Sequence, residues 1–195
     1  MSVRLIHYPD YLHATMNSPE QERSGVLARL DSAVNRITEN GNPGILSGGI
    51  LSFGYAMRGA RDISGIAAVP EGMSIENEKF SSGGPGTFGA DEHVARIILT
   101  VMKFNPEIRC GAIIPYSGEV LDILEDMFLE CCSFDRSKQP PGVSSMDWGI
   151  ASCCRDGIPD VIFNRSVGTE PGFICFFAED PSAVANNIII CSNRI

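Results

Sequence analysis

The residue types best suited to chemistry gather around one glycine-rich run, Ser81-Ser82-Gly83-Gly84-Pro85-Gly86-Thr87-Phe88-Gly89, which leads straight into a helical pattern. Glycines let backbone N–H groups turn toward a ligand, and a helix start adds free donors and partial positive charge, the combination that holds phosphate. The run fits neither the P-loop, which needs Gly-Lys-Ser/Thr, nor the dinucleotide fingerprint that follows a strand, so a plain surface loop is the competing reading. His93 falls in the first turn of the helix and three residues before Arg96, on the same face. A helix N-terminus favours the neutral imidazole, which suits proton transfer, while a lone His also caps or packs. His7 and His13 have no partner in sequence and receive no role.

Arginines supply the remaining cations. Arg58 and Arg61 are three apart, and Arg109, Arg136 and Arg165 each lie beside an expected strand end, where they can converge on one mouth and contact phosphate with two N–H groups. Scattered solvated charges are the alternative. The chain has only three lysines, Lys79, Lys103 and Lys138, so a phosphate site here depends on arginine and backbone. Glu119, Asp122, Glu125, Asp126 and Glu130 ride the solvent side of one helix. Asp91, Glu92, Asp135, Asp160 and Glu170 lie near turns, where Mg²⁺ takes one or two carboxylates together with phosphate oxygens; spacing does not choose among them. The seven cysteines, at 110, 131, 132, 153, 154, 175 and 191, include two adjacent pairs and no Cys-x-x-Cys. Neither a secreted disulfide framework nor a zinc ribbon fits, and most read as buried, inert thiols.

The elements that must position these residues are legible in outline. Ser18, Pro19 and two early acids open a helix whose Val26, Leu27, Leu30, Val34 and Ile37 follow helical spacing to Asn40-Gly41. Extended pieces are expected at 50–55 and 66–69. The clearest helix is 91–104, with Val94, Ile97, Ile98, Val101 and Met102 on one side and a stop at Asn105-Pro106. An apolar run at 111–114, a helix over 117–130, an apolar run through Phe134 and a short helix at 148–153 follow. Strands at 161–163 and 173–177 then precede a last helix opening at Asp180-Pro181. Short apolar runs alternating with helices predict one layered α/β domain over residues 1–195, with 1–20 as an extension or tail and no linker dividing it.

Composition agrees with this class: 195 residues, 44% hydrophobic and 20% charged, support one substantial core. Fifteen Lys plus Arg against 24 Asp plus Glu give a net charge of −9. That field repels phosphate backbones and anionic lipid, so neither nucleic acid nor a membrane is expected as a direct partner. No apolar run of membrane-spanning length and no signal core is present, which makes the cytoplasm the expected location.

Ordered motifs through most of the chain resemble the ThiN family, the archaeal-type thiamine-phosphate synthase domain often fused behind a hydroxymethylpyrimidine kinase. They are Phe53-Gly54-Tyr55-Ala56-Met57, Ala60-Arg61-Asp62-Ile63, Ile66-Ala67-Ala68-Val69-Pro70 and Phe88-Gly89-Ala90 with His93, Ala95-Arg96 and Met102-Lys103. The series resumes at Asn105-Pro106-Glu107-Ile108-Arg109, Phe134-Asp135-Arg136, Trp148-Gly149, Pro159-Asp160-Val161-Ile162-Phe163 and Gly168-Thr169-Glu170-Pro171. The resemblance implies a three-layer α/β/α sandwich similar to the class II aldolase N-terminal fold, without that fold's zinc histidines and hence without zinc. It also implies a reaction joining hydroxymethylpyrimidine diphosphate to hydroxyethylthiazole phosphate, giving thiamine phosphate and pyrophosphate. Arg, Mg²⁺ and helix-start N–H groups would stabilise the leaving diphosphate. On this basis His93 is the expected catalytic residue, and Arg61, Gly86, Phe88, Gly89, Arg96, Arg109, Arg136 and Glu170 the expected substrate and phosphate contacts. The partners are then small phosphorylated thiamine precursors or thiamine phosphate, and a homo-oligomer is compatible with the pattern.

The chain departs from the family pattern at several places. Pro70-Glu71-Gly72-Met73 stands where the family shows Gly-Arg, which sets Met73 against an arginine tied to activity. The family's Asp-x-Gly-x-x-Gly-Lys-Glu-Pro becomes Asn164-Arg165-Ser166-Val167-Gly168-Thr169-Glu170-Pro171, losing the acid and the lysine, and Gln139 replaces a Glu before Pro140. Each cation removed from a developing pyrophosphate costs about 3 kcal/mol in the transition state. Two readings therefore stand: a synthase in which other arginines compensate, and a sensor or regulatory module that binds thiamine phosphate without turnover. A diverged domain with another phosphorylated ligand is a third.

Overall fold

The computed structural model describes residues 18–142, 144–165 and 171–195. Helix α1 (Pro19–Asn40) starts at the expected cap, where the Gln21 N–H donates to Ser18 Oγ and the Ser18 N–H donates back to Gln21 Oε1 at 2.9 Å. Its Val26, Leu30, Ala33, Val34 and Ile37 form the buried stripe. The strands that follow are β1 (Ser52–Ala56), β2 (Ile66–Ala68), a hairpin of β3 (Met73–Glu76) and β4 (Lys79–Ser82), and β5 (Thr87–Phe88). The remainder runs α2 (Glu92–Met102), β6 (Cys110–Pro115), α3 (Gly118–Asp126), β7 (Cys131–Ser133), α4 (Ser145–Cys153), β8 (Val161–Asn164), β9 (Phe173–Ala178) and α5 (Pro181–Ser192).

Seven strands form one sheet in the order β5-β2-β1-β6-β9-β8-β7. Every pairing is antiparallel except β7 with β8, which the crossover through α4 makes parallel. Strand alternation sends Phe53, Tyr55, Ala112, Ile114, Ile174 and Phe176 into one core with α1, α3 and α5. Ala56, Ile66, Ile113, Ile162, Cys175 and Phe177 enter a second core with α2 and α4. Both faces are thus covered, which is why the strands read as continuous apolar runs, and the result is the expected three-layer α/β/α sandwich. Helix α2 sits close on the sheet because Gly54 and Gly111, paired across β1 and β6, leave room for Ile98. A Cβ on Gly54 would lie 3.2 Å from Ile98 Cδ1, and one on Gly111 would lie 3.0 Å from Ile98 Cγ1.

Two helices end earlier than their patterns predict. Helix α2 stops at Met102, leaving Phe104 45% exposed, and α3 stops at Asp126, with Phe128 turned to φ 59° and into solvent. The hairpin β3–β4 was not expected from sequence. Its turn residues Asn77 and Glu78 both take positive φ, a conformation that Asn signals and Glu does not. Met73, at the start of this hairpin, is fully buried in the α1 core and bridged to Leu51.

Candidate functional site

The structure does not gather the expected anion site at the start of α2. The Asp91 carboxylate caps that helix, accepting the N–H groups of His93 at 2.9 Å and Val94 at 3.2 Å, so a resident anion already uses these donors. The Gly86 N–H donates to the Asp31 carboxylate of α1 at 2.7 Å, and the Gly89 N–H donates to the Ile66 carbonyl at 2.9 Å. Phe88 lies in β5 beneath the Arg23 guanidinium, 3.7 Å from its ring centre. A phosphate entering here would meet Asp31, Asp91 and Glu92 rather than open amides. His93 is exposed, and Arg96 on the same helix face pairs with Asp147 of α4 at 2.9 Å and with Glu92 at 3.8 Å.

Arg61 and Arg109 lie on opposite sides of the sheet. Arg61 lines a shallow cleft with Leu99, Met102 and Lys103 on the α2 side. Arg109 turns the other way and is buried, donating to the Ala56 carbonyl at 3.1 Å and the Tyr55 hydroxyl at 2.6 Å, with its guanidinium over the Tyr55 ring. Arg109 thus packs on a tyrosine away from Arg61, with its Nε left without a partner. Glu170 lies outside the described residues.

Arg136 belongs to a different place, a cavity of about 520 Å³ between α4 and the β7–β8 edge of the sheet. The chain enters it from β7, whose Ser133 and following Phe134 form one wall. Phe134 rests directly on the backbone of α4: a Cβ on Gly149 would fall 2.2 Å from its ring, so only glycine fits there. That close approach brings Trp148 edge-on to Phe134 at 6.4 Å, while Phe173 lies 6.0 Å away on another side. The Asp135 carboxylate caps the turn Arg136–Lys138 by accepting the Ser137 N–H at 2.9 Å. Hydrogen bonds from the Ser137 side chain and backbone hold this carboxyl below the usual range, so it is ionised at neutral pH. The turn sets Arg136 and Lys138 on the cavity wall, with the Arg136 guanidinium 5.7 Å from the Phe173 ring centre.

Strand β8 delivers the floor. Asn164, 1% exposed, accepts the Phe173 N–H on Oδ1 at 3.2 Å, and its Nδ2 has no partner. Arg165 follows on the rim. Three cations and an unpaired amide donor facing two aromatic rings can hold a phosphorylated molecule that carries a flat ring. Sequence reasoning had named Arg136 for binding and Arg165 as a strand-end cation, but missed Lys138, Trp148 and Asn164. The motifs Phe134-Asp135-Arg136 and Trp148-Gly149 meet Asn164-Arg165, where the chain departs from the family pattern, and that coincidence was the available signal.

A disulfide joins Cys132 of β7 to Cys153 at the end of α4, linking the two walls of the cavity. This corrects the expectation of inert thiols for that pair. The β7 register turns Cys132 toward α4 while Cys131 packs against the opposite core. Cys110, Cys154, Cys175 and Cys191 are buried free thiols, as expected. Among the described residues, no three His, Cys, Asp or Glu side chains cluster as a metal cage requires. Among them, too, no helix is long and apolar enough to cross a membrane.

The fold is a three-layer α/β/α domain with a cavity lined by cations and aromatic rings at one edge of its sheet. The sequence pattern of the family "Thiamine-phosphate synthase ThiN" matches residues 29–190, and the chain belongs to that family. It is 43% identical over 116 residues to the bifunctional thiamine biosynthesis protein ThiDN of Methanocaldococcus jannaschii, a match covering 57% of this chain and 27% of that protein. It is 32% identical over 115 residues to the thiamine-phosphate synthase ThiN of Methanothermobacter thermautotrophicus, covering 54% of this chain and 60% of that one. The matches thus span less than two thirds of either relative. Among solved structures, the C-terminal domain of protein MJ0236 superposes with a TM-score of 0.78 at 29% identity, over 88% of this chain and 95% of that one. The C-terminal domain of a phosphomethylpyrimidine kinase superposes with a TM-score of 0.79 over 87% of this chain and 100% of that one; at 24% identity it speaks for the fold alone. So does YgbL of Klebsiella pneumoniae, an aldolase/epimerase/decarboxylase-type neighbour with a TM-score of 0.51 and 9% identity over 88% of each chain.

Proposed function

We propose that this chain is a thiamine-phosphate synthase domain whose substrates meet in the cavity between α4 and the β7–β8 edge. The observation that carries this reading is the convergence of two family motifs, Phe134-Asp135-Arg136 and Trp148-Gly149, with Lys138 and Arg165 on one aromatic-walled pocket in a chain of net charge −9. In the reaction the thiazole nitrogen forms a bond to the pyrimidine methylene carbon as the carbon–oxygen bond to the diphosphate breaks. The electron pair of that bond leaves with pyrophosphate. Arg136, Lys138 and Arg165 would meet the charge that grows on the departing oxygens, and Trp148 and Phe134 would offer flat surface to the rings. Among the described residues, Asp135 is the one carboxylate on the cavity lining. That fits Mg²⁺ carried in on the diphosphate and held by Asp135 plus phosphate oxygens, where the ion would neutralise leaving-group charge.

A second reading, binding of thiamine phosphate without turnover, is favoured by one observation. An amide, Asn164, occupies the floor where the family pattern has an acid, so the pocket offers product-type contacts with fewer metal ligands. A turnover assay with both phosphorylated precursors and Mg²⁺, run beside calorimetric titration with thiamine phosphate, decides between them. Product formation that Arg136→Ala or Arg165→Ala slows at least tenfold supports the synthase in this cavity. Tight binding with no product selects the second reading, and neither binding nor product overturns both.

A further inference from the structure

We infer that Asn164 donates a hydrogen bond directly to a phosphate oxygen of the bound ligand, so that the monophosphate is held without a bridging metal ion. This rests on the reading that the cavity takes a phosphorylated molecule. Asn164 is 1% exposed and its orientation is fixed, because the Phe173 N–H can donate only to the amide oxygen. Nδ2 is therefore the group left over: it is buried with no partner, on a residue that lines the cavity. A buried donor without an acceptor is costly, and a ligand that supplies the acceptor removes that cost on binding.

The surroundings say which acceptor fits. Arg136, Lys138 and Arg165 share the lining, where Asp135 is the one carboxylate among the described residues. Cations and one amide donor match a group that is both negative and rich in lone pairs, which a phosphate is and a bare heterocycle is not. An amide meets such a group directly. A carboxylate at the same place would present lone pairs to lone pairs and would need a divalent cation between them. Asn164 thus selects for the phosphate-bearing form of an aromatic ligand, and does so without a metal.

Thiamine phosphate is titrated calorimetrically into the wild-type chain, Asn164→Ala, Asn164→Asp and Arg165→Ala, each in EDTA and in Mg²⁺. The wild type should bind equally in both buffers, and Asn164→Ala about tenfold more weakly in both, equivalent to about 1.4 kcal/mol. Asn164→Asp keeps the oxygen that accepts the Phe173 N–H, so it isolates the donor even if the Ala variant folds poorly. It should bind more weakly still in EDTA and recover in Mg²⁺. If Arg165→Ala weakens binding but the Asn164 variants match the wild type, the pocket stands and the role of Asn164 is wrong. Wild-type affinity that disappears in EDTA also overturns the direct contact. No wild-type binding in either buffer, or an Arg165→Ala variant as tight as wild type, would instead remove the pocket reading beneath it.

Discussion

Gly149→Ala sets two opposing effects against each other at the cavity wall. Gly149 is the middle residue of α4, and replacing glycine by alanine inside a helix ordinarily gains about 1 kcal/mol. Here the new methyl would lie 2.2, 2.3 and 2.4 Å from three carbons of the Phe134 ring. Restoring ordinary contact requires the ring to retreat by about 1.5 Å, and it is already packed with Trp148 and Phe173. Overpacking of this kind costs about 1–3 kcal/mol, and the upper end applies because Phe134 is almost buried. The clash therefore wins, with a net loss of about 1–2 kcal/mol and a fall in Tm of about 3–6 °C for a chain of this size. Gly25→Ala in α1 is the matched control, since a Cβ there meets nothing within 4 Å, and it should gain about 1 kcal/mol. Urea unfolding of both variants reads the difference directly. A Gly149→Ala variant stabilised as much as Gly25→Ala would show that Phe134 does not rest on α4 and that the cavity wall is misdescribed.

Three further outcomes follow from the packing. Met73→Arg, which family comparison suggests as a repair of activity, should instead destabilise the chain by about 3 kcal/mol or more, because Met73 is fully buried among apolar side chains; a stable, faster variant in urea and turnover measurements would contradict this. Reducing the Cys132–Cys153 bond, or Cys132→Ser, should cost about 3 kcal/mol from the closed loop of 21 residues, seen as a lower urea midpoint with dithiothreitol. An unchanged midpoint would mean that the bond constrains nothing. At Asp180, burial pushes the carboxyl up, but the Ser182 hydrogen bonds and the charges of Arg29 and Arg109 pull it further down, leaving it below its ordinary value. A depressed folded value means that its stabilisation is present above about pH 4 and is lost as pH falls through that lower value, so Asp180→Asn should flatten the acid side of a stability–pH curve.

Local signals carried the elements well and the site poorly. The cap at Ser18, the 3.6-residue spacing of α1 and α2, and the apolar runs of β6, β8 and β9 depend on neighbours in sequence, and these agree with the structure to within a few residues. The cavity depends on segments near 134, 148 and 164 that meet only after α4 crosses over the sheet, a juxtaposition that no local spacing encodes. The glycine run invited a phosphate because its amides looked free, yet Asp31, remote in sequence on α1, takes the Gly86 N–H. Arg109 read as one more strand-end cation, but strand alternation turned it onto Tyr55. The Cys132–Cys153 bond was hidden for the same reason, since it requires β7 and α4 to stand side by side.

Trp148 is the only tryptophan in the chain and forms part of the cavity wall, so its fluorescence reports on this site alone. Titration with thiamine phosphate should produce a saturable change in that emission, with the same Kd as calorimetry, weakened at least tenfold by Arg136→Ala and unaffected by His93→Ala. Calorimetric binding that leaves Trp148 emission unchanged and vanishes in His93→Ala would place the ligand at the start of α2 and contradict the account.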